Sequence, residues 1–144
     1  MGPKGWKSAA LFALAIGLAA CAGDDEGPAF QVSSPPPGKA LLYAMNTGIP
    51  TLLGTTRTLY DGDLLVATIN ESYYVILPLF PGPYVFTCGD LPRAPKVTID
   101  ARAGYVYFLQ AKMGALVDRD QTCAAMTYET ALTALKDMTL QRQK

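Results

Sequence analysis

The chain is 144 residues long and half hydrophobic, with twelve Lys and Arg balancing twelve Asp and Glu. That balance argues against nucleic-acid binding, which requires a clustered basic face. Histidine is absent, which removes the commonest general base and the commonest metal ligand together and disfavours most hydrolase and transition-metal chemistry.

Lys4 and Lys7 precede an uncharged run from Ser8 to Ala20, and small residues stand directly before Cys21 in Leu18-Ala19-Ala20-Cys21. This is the layout of a secretory signal, and its apolar run falls short of the about 20 residues a membrane-spanning helix needs. With cysteine following the small pair, residues 1–20 resemble a bacterial lipoprotein signal peptide. The resemblance implies that the Cys21 thiol receives a diacylglycerol, that the chain is cut before it, and that a covalent lipid on Cys21 holds the protein to the membrane. Anchoring by two or more acyl chains is stable because each buried methylene contributes about 0.8 kcal/mol. An ordinary cleaved signal or a short membrane anchor, with Cys21 incidental, is the alternative. Ala22 in place of Asp, under the enteric sorting rule that accompanies this resemblance, points to the outer membrane with the domain in the periplasm. Myristoylation is disfavoured, because Trp6 stands where Ser or Thr is wanted.

Residues 21–38 carry Asp24, Asp25 and Glu26 and then Ser33-Ser34-Pro35-Pro36-Pro37-Gly38, with too few apolar residues to fold. They read as a flexible, Pro-rich tether. From Lys39 the texture changes to short apolar and aromatic runs broken by Gly, Pro, Asn and Asp, the pattern of an all-β domain spanning residues 39–144. The first strand is Lys39 to Met45. Arg57 to Tyr60 and Leu64 to Ile69 flank Asp61-Gly62, a dipeptide that supplies the positive φ of a tight hairpin. Asn70-Glu71 then precedes Ser72 to Leu77, rich in aromatic and β-branched residues. Pro81-Gly82-Pro83 opens Tyr84 to Cys88, and Lys96 to Asp100 with Tyr105 to Ala111 reads as a further hairpin bent at Ala103-Gly104. Finally, Thr127 is a candidate N-cap, and Ala131, Leu132, Leu135 and Met138 recur at spacings of three and four, predicting a helix from Tyr128 to Leu140. Its apolar face packs on the sheet in the simpler reading and fits a partner's groove in the other. The fold expected is mainly β: an antiparallel β-sandwich of about seven strands with one C-terminal α-helix.

With Cys21 lipidated, Cys88 and Cys123 remain as an even pair in an oxidising compartment and predict a disulfide. A reactive thiol is the alternative, but no His is present to activate one.

Gly38-Lys39-Ala40-Leu41-Leu42-Tyr43, Leu59-Tyr60-Asp61-Gly62-Asp63, Leu77-Pro78, Pro81-Gly82-Pro83-Tyr84 and Gly104-Tyr105-Val106-Tyr107-Phe108-Leu109 follow one another as turn and strand motifs. With Ala131, Leu132 and Leu135 as closing helix, they resemble a domain-of-unknown-function family of small bacterial lipoproteins with a PEGA-like β-sandwich. The resemblance implies an exported domain with no established enzymatic activity. The sequence departs from that pattern at Met45-Asn46, where an Arg often ends the first strand, and in its Cys88 and Cys123 pair.

No residue set stands out as catalytic. Asp61-Gly62-Asp63 and Asp118-Arg119-Asp120 offer oxygens to calcium, but neither has a recognised loop spacing; turn formation explains Asp61, and a solvated loop explains Asp118 and Asp120. Glu71 and Asp100 are the carboxylates a glycosidase reading would use, and Ser33, Ser34 and Ser72 lack a His partner and a nucleophile elbow. Tyr73, Tyr84, Tyr105 and Tyr107 form the more informative set, because exposed aromatics on a sheet stack on sugar rings or anchor a protein partner. Alternation puts Tyr105 and Tyr107 on one face with Leu109, opposite Val106 and Phe108. If Val106 and Phe108 are core, the tyrosines face outward; the other arrangement covers both faces, one by the second sheet and one by the helix. The function expected is that of a non-enzymatic envelope lipoprotein without cofactor or metal, a binding or assembly module with the membrane and an envelope protein as partners. A small-ligand or glycan-binding lipoprotein using the tyrosine-rich face is the alternative, and an envelope hydrolase the third class.

Overall fold

A computed structural model describes residues 30–48, 56–90, 93–112 and 122–143. Cys21 and the residues before Phe30 that read as signal and tether lie outside these, as does Asp118-Arg119-Asp120. The described residues form a two-sheet sandwich with one helix near the C-terminus. Nine strands are present: β1 (Ala40–Asn46), β2 (Arg57–Asp61), β3 (Leu64–Ile69), β4 (Tyr73–Leu79), β5 (Gly82–Cys88), β6 (Lys96–Ala101), β7 (Val106–Lys112), β8 (Thr122–Ala125) and β9 (Thr139–Leu140). Sheet A has the order β8-β7-β1-β4-β9 and sheet B the order β3-β2-β5-β6.

The centre of sheet A is β1, whose seven residues are all buried. A strand apolar on both sides must be covered on both sides. Ala40, Leu42 and Ala44 point into the sandwich, where they meet Leu59, Ile69, Phe86 and Ile99 of sheet B. Leu41, Tyr43 and Met45 point the other way and are covered by Ala131 and Leu135 of helix α1 (Tyr128–Leu135) together with Phe30 and Val32. The packed chain therefore begins at Phe30, before the first strand. Its ring meets Tyr43 and Tyr74 edge to face at 6.2 and 5.9 Å, and the Ser33 amide donates to the Tyr43 hydroxyl at 2.8 Å.

The sandwich differs from the expected arrangement in its connections. β6 and β7 do not form a hairpin, because β6 pairs with β5 in sheet B while β7 pairs with β1 and β8 in sheet A. The turn at Ala103-Gly104 instead carries the chain between sheets, with Gly104 at φ 84°. That crossing brings β7 beside β1 in parallel, and β9 likewise runs parallel to β4. The β2–β3 hairpin forms as read, although the paired residues are Asp61 and Leu64, so the loop is Gly62-Asp63 and only Gly62 (φ 59°) needs a positive φ. Pro78 and Pro83 are tolerated inside strands because β9 reaches only Tyr73 and Tyr74, and β2 reaches only Phe86 to Cys88, leaving each proline without a second neighbour to donate to.

Helix α1 is shorter than its periodicity suggested. Thr127 caps it as read, accepting from the Thr130 amide at 3.3 Å, but it ends at Leu135. Asp137 and Met138 donate to Ala134 and Leu135 in tightening turns, and Thr139 then joins β4 through the Ser72 carbonyl. Met138 still reaches the same cluster as Leu135. The three-residue spacing thus marked a shared destination rather than a continued helix.

Cys88 and Cys123 are bridged, with Cα atoms 5.5 Å apart. The bond joins β5 of sheet B to β8 at the edge of sheet A, tying the layers together. For a closed loop of sequence separation 35, chain entropy assigns about 3 to 4 kcal/mol to such a crosslink. We expect Cys88→Ala, Cys123→Ala and the double variant to lose comparable stability in non-reducing urea melts; a double variant melting with the wild type contradicts the assignment. Phe30→Ala should cost about 2 kcal/mol in the same assay, since it removes a partly buried ring and two edge-to-face contacts.

Candidate functional site

Strand β3 is an outer edge of sheet B, and its sequence Leu64-Leu65-Val66-Ala67-Thr68-Ile69 has no charge and no proline. Natural edges are ordinarily blunted by one or the other, because unpaired amides and carbonyls invite another strand. Here Leu64 and Leu65 are 67% and 50% exposed, the former among the most exposed large hydrophobic residues described. By contrast, β6 at the opposite edge carries Lys96 and Asp100.

One end of the β3 edge is already capped from within. The Gln141 side chain, just after β9, accepts from the Asn70 amide and donates to the Thr68 carbonyl, both at 2.8 Å. One amide thereby does what a neighbouring strand would do, and it links the two sheets at that end. Buried Asn46 adds a second link, donating to the Ile69 carbonyl at 3.1 Å. From Leu64 to Ala67 no described strand or side chain takes this role. An open groove of about 500 Å³ runs alongside, lined by Leu65 to Thr68, Asn70 and Gln141 to Gln143. A bulge at Leu59/Tyr60 places an extra β3 residue here.

A polar cluster occupies the outer face of sheet B. Tyr60 and Thr58 donate to one oxygen of Asp90 at 2.7 and 2.9 Å, beside an open groove of about 280 Å³ that includes Asp63 and Lys96. The hydrogen bond from Tyr60, with that from Thr58, holds the Asp90 carboxyl below its ordinary 3.8, and the charge of Arg57 assists. The same bond holds the Tyr60 hydroxyl above its ordinary 10.0. Such an exposed, hydrogen-bonded carboxylate stays ionised at neutral pH and is unsuited to deliver a proton there. Arg57 itself is buried, its Nη2 donating to the Lys112 carbonyl at 3.3 Å and its Nε unpartnered. Burial pushes its guanidinium below the usual arginine range.

The four tyrosines singled out in the sequence do not meet on one surface. Tyr107 points into the sandwich with Leu109, while Val106 and Phe108 face the helix side. Both faces of β7 are thus covered, one by sheet B and one by the helix side, the second of the two arrangements the sequence left open, and Tyr107 does not face outward. Its hydroxyl donates to the Asp100 carbonyl at 2.9 Å and accepts from the Arg102 amide. Tyr84 packs against the same core, stacked on Phe86 at 5.5 Å and donating to the Phe80 carbonyl. Tyr73 and Tyr105 are exposed but lie toward opposite ends of β1, Tyr73 preceding the Tyr74 that pairs with Met45 and the Tyr105 carbonyl accepting from the Leu41 amide.

Glu71 and Asp100 are separated by the width of sheet B, one following β3 and the other on β6. Asp100 makes an exposed ion pair with Arg102 at 3.8 Å, of a kind that contributes little. Among the described residues no three potential ligands cluster for a metal, and no helix is long and apolar enough to cross a membrane. No protein-family model matches the chain, and no curated protein matches it either.

Sequence reasoning missed the β3 edge, Gln141 and the Asp90 cluster. The absence of charge and proline from Leu64 to Ile69 was visible, but which strand lies at an edge was not. The lowered Asp90 value means its stabilisation is full above the ordinary carboxylate range and fades as pH falls through the folded value. The raised Tyr60 value means its share is full below 10.0 and fades as pH rises through the folded value. Tyr60→Phe should therefore move Asp90 back toward 3.8 in a carboxyl-carbon NMR titration; an unchanged midpoint contradicts the assigned cause.

Proposed function

We propose that this chain is a non-enzymatic envelope lipoprotein, tethered to the outer membrane through lipid on Cys21, whose β-sandwich is a binding or assembly module for another envelope protein. The PEGA-like resemblance read from its turns and strands belongs to the same proposal. The observation that carries the binding role is the β3 edge. Among the described residues no strand other than β2 pairs with it beside Leu64 and Leu65, and its sequence has neither the charge nor the proline that discourages strand addition. An extended segment of the partner adds beside Leu64 to Ala67, taking affinity from main-chain hydrogen bonds and specificity from its side chains in the adjoining groove. The Gln141 and Asn46 links support this reading by tying the end of this edge to sheet A, so less ordering accompanies association.

A photo-crosslinking residue at Leu65, in intact cells, should give a discrete adduct, and the same residue at Thr98 on the outer face of sheet B should not. Equal labelling from both positions, or none from Leu65, counts against the edge. Separately, Cys21→Ala should move the protein from the membrane pellet to the soluble fraction; its retention in the pellet contradicts the lipid anchor.

A further inference from the structure

The N-terminal segment joins the fold on one face only. Phe30 and Val32 lie on the helix-bearing side of sheet A, against Tyr43, Tyr74 and Phe108. Only nine peptide steps separate Phe30 from Cys21, and they reach about 30 Å when fully extended. A domain of this size is itself about 30 to 35 Å across. The tether therefore brings the helix-bearing face to a bilayer with slack to spare. Turning the outer face of sheet B toward the bilayer requires the chain to go round the sandwich at nearly full stretch, with the entropy loss that entails.

The face beside Phe30 exposes large apolar residues, interspersed with Glu129, Lys136 and Asp137 of the helix and its C-terminal end. Tyr128 and Leu140 are 53% and 45% exposed. Leu140 pairs in register with Tyr74 and so points to this same side, and the Tyr128 ring lies on Phe108 at 5.8 Å. Next to Tyr128 opens a largely apolar recess of about 170 Å³, bordered by Val106, Phe108 and Met126. Tyrosine favours the membrane–water interface because its ring is apolar and its hydroxyl remains hydrated. The outer face of sheet B presents Thr58, Thr87, Lys96, Thr98 and Asp100, with Val85 and, opposite Tyr60, Leu65 as exposed apolar residues.

From these observations we infer that the helix-bearing face of sheet A docks on the bilayer surface, with Tyr128 and Leu140 at headgroup level and the Tyr60 and Asp90 cluster turned away. This rests on the lipid at Cys21. The occupant is the membrane itself, because the tether ends there and its reach is short.

Trp6 is the only tryptophan and lies in the segment removed with the signal, so a tryptophan placed in the mature protein reports alone. Tyr128→Trp, Leu140→Trp and Val85→Trp proteins would be purified in lipidated form and reconstituted into phosphatidylcholine vesicles carrying a nitroxide on the headgroup. Quenching should be at least about twofold stronger at positions 128 and 140 than at 85, as interfacial seating predicts. All three sites are exposed, and an intact disulfide with an unchanged melt checks each fold. Equal quenching at the three sites, stronger quenching at 85, or none at any overturns the orientation. Mass spectrometry of the N-terminal peptide separates the two levels: lipid present with the wrong quenching pattern overturns the orientation alone, and lipid absent overturns the anchor and the orientation with it.

Discussion

Everything in this fold depends on β1 being apolar on both sides. A strand in which every residue is buried cannot lie on the surface of a single sheet, so two independent covers are required. Sheet B supplies one. The other is assembled from α1 and from Phe30 and Val32, residues that precede the sheet and would otherwise be expected to remain solvated. The aromatic contacts among Phe30, Tyr43, Tyr74, Phe108 and Tyr128 show how that second cover holds: successive rings meet at 5.5 to 6.2 Å, several edge to face. Such pairs contribute beyond their buried area. The helix alone, with Ala131 and Leu135 as its buried residues, is too small for the task.

Two covers also fix where the edges fall. With β1 central, β7 and β4 flank it, and the short strands β8 and β9 finish sheet A. The disulfide fastens one side of the sandwich through β8, and Gln141 and Asn46 fasten the other through hydrogen bonds to β3 and its following turn. These fastenings leave Leu64 to Ala67 as an edge held in place but unpaired among the described residues. Rigidity and availability arise from the same contacts.

The two proposed surfaces meet at one end of the sandwich. The proposed membrane contact on the helix-bearing face of sheet A and the proposed protein contact at the β3 edge of sheet B adjoin where Leu140 is followed by Gln141, which bonds the Thr68 carbonyl and lines the groove. Asp90, ionised at neutral pH and hydrogen-bonded to Tyr60 and Thr58, keeps the remaining outer face hydrated.

Local features were legible from the sequence. The positions of β1 to β7, though not of β8 and β9, followed from alternation and from Gly, Pro and Asn punctuation, the Gly62 turn from its need for positive φ, the Thr127 cap from its hydroxyl, and the Cys88 and Cys123 bridge from an even pair. Each depends on a few neighbouring atoms or, for the bridge, on there being no other partner within the proposed mature domain. Tertiary structure alone decided the rest. That Tyr107 faces inward rather than outward depends on which layer covers each side of β7, and alternation gives only the relation between the two sides. That β6 and β7 part into different sheets, that Thr139 and Leu140 leave the helix for an edge of β4, and that β3 is the unguarded edge all depend on contacts between distant segments. Arg57 is buried and Gln141 bridges two sheets for the same reason: residue type sets what a side chain can bond to, and only packing sets what is there to meet it.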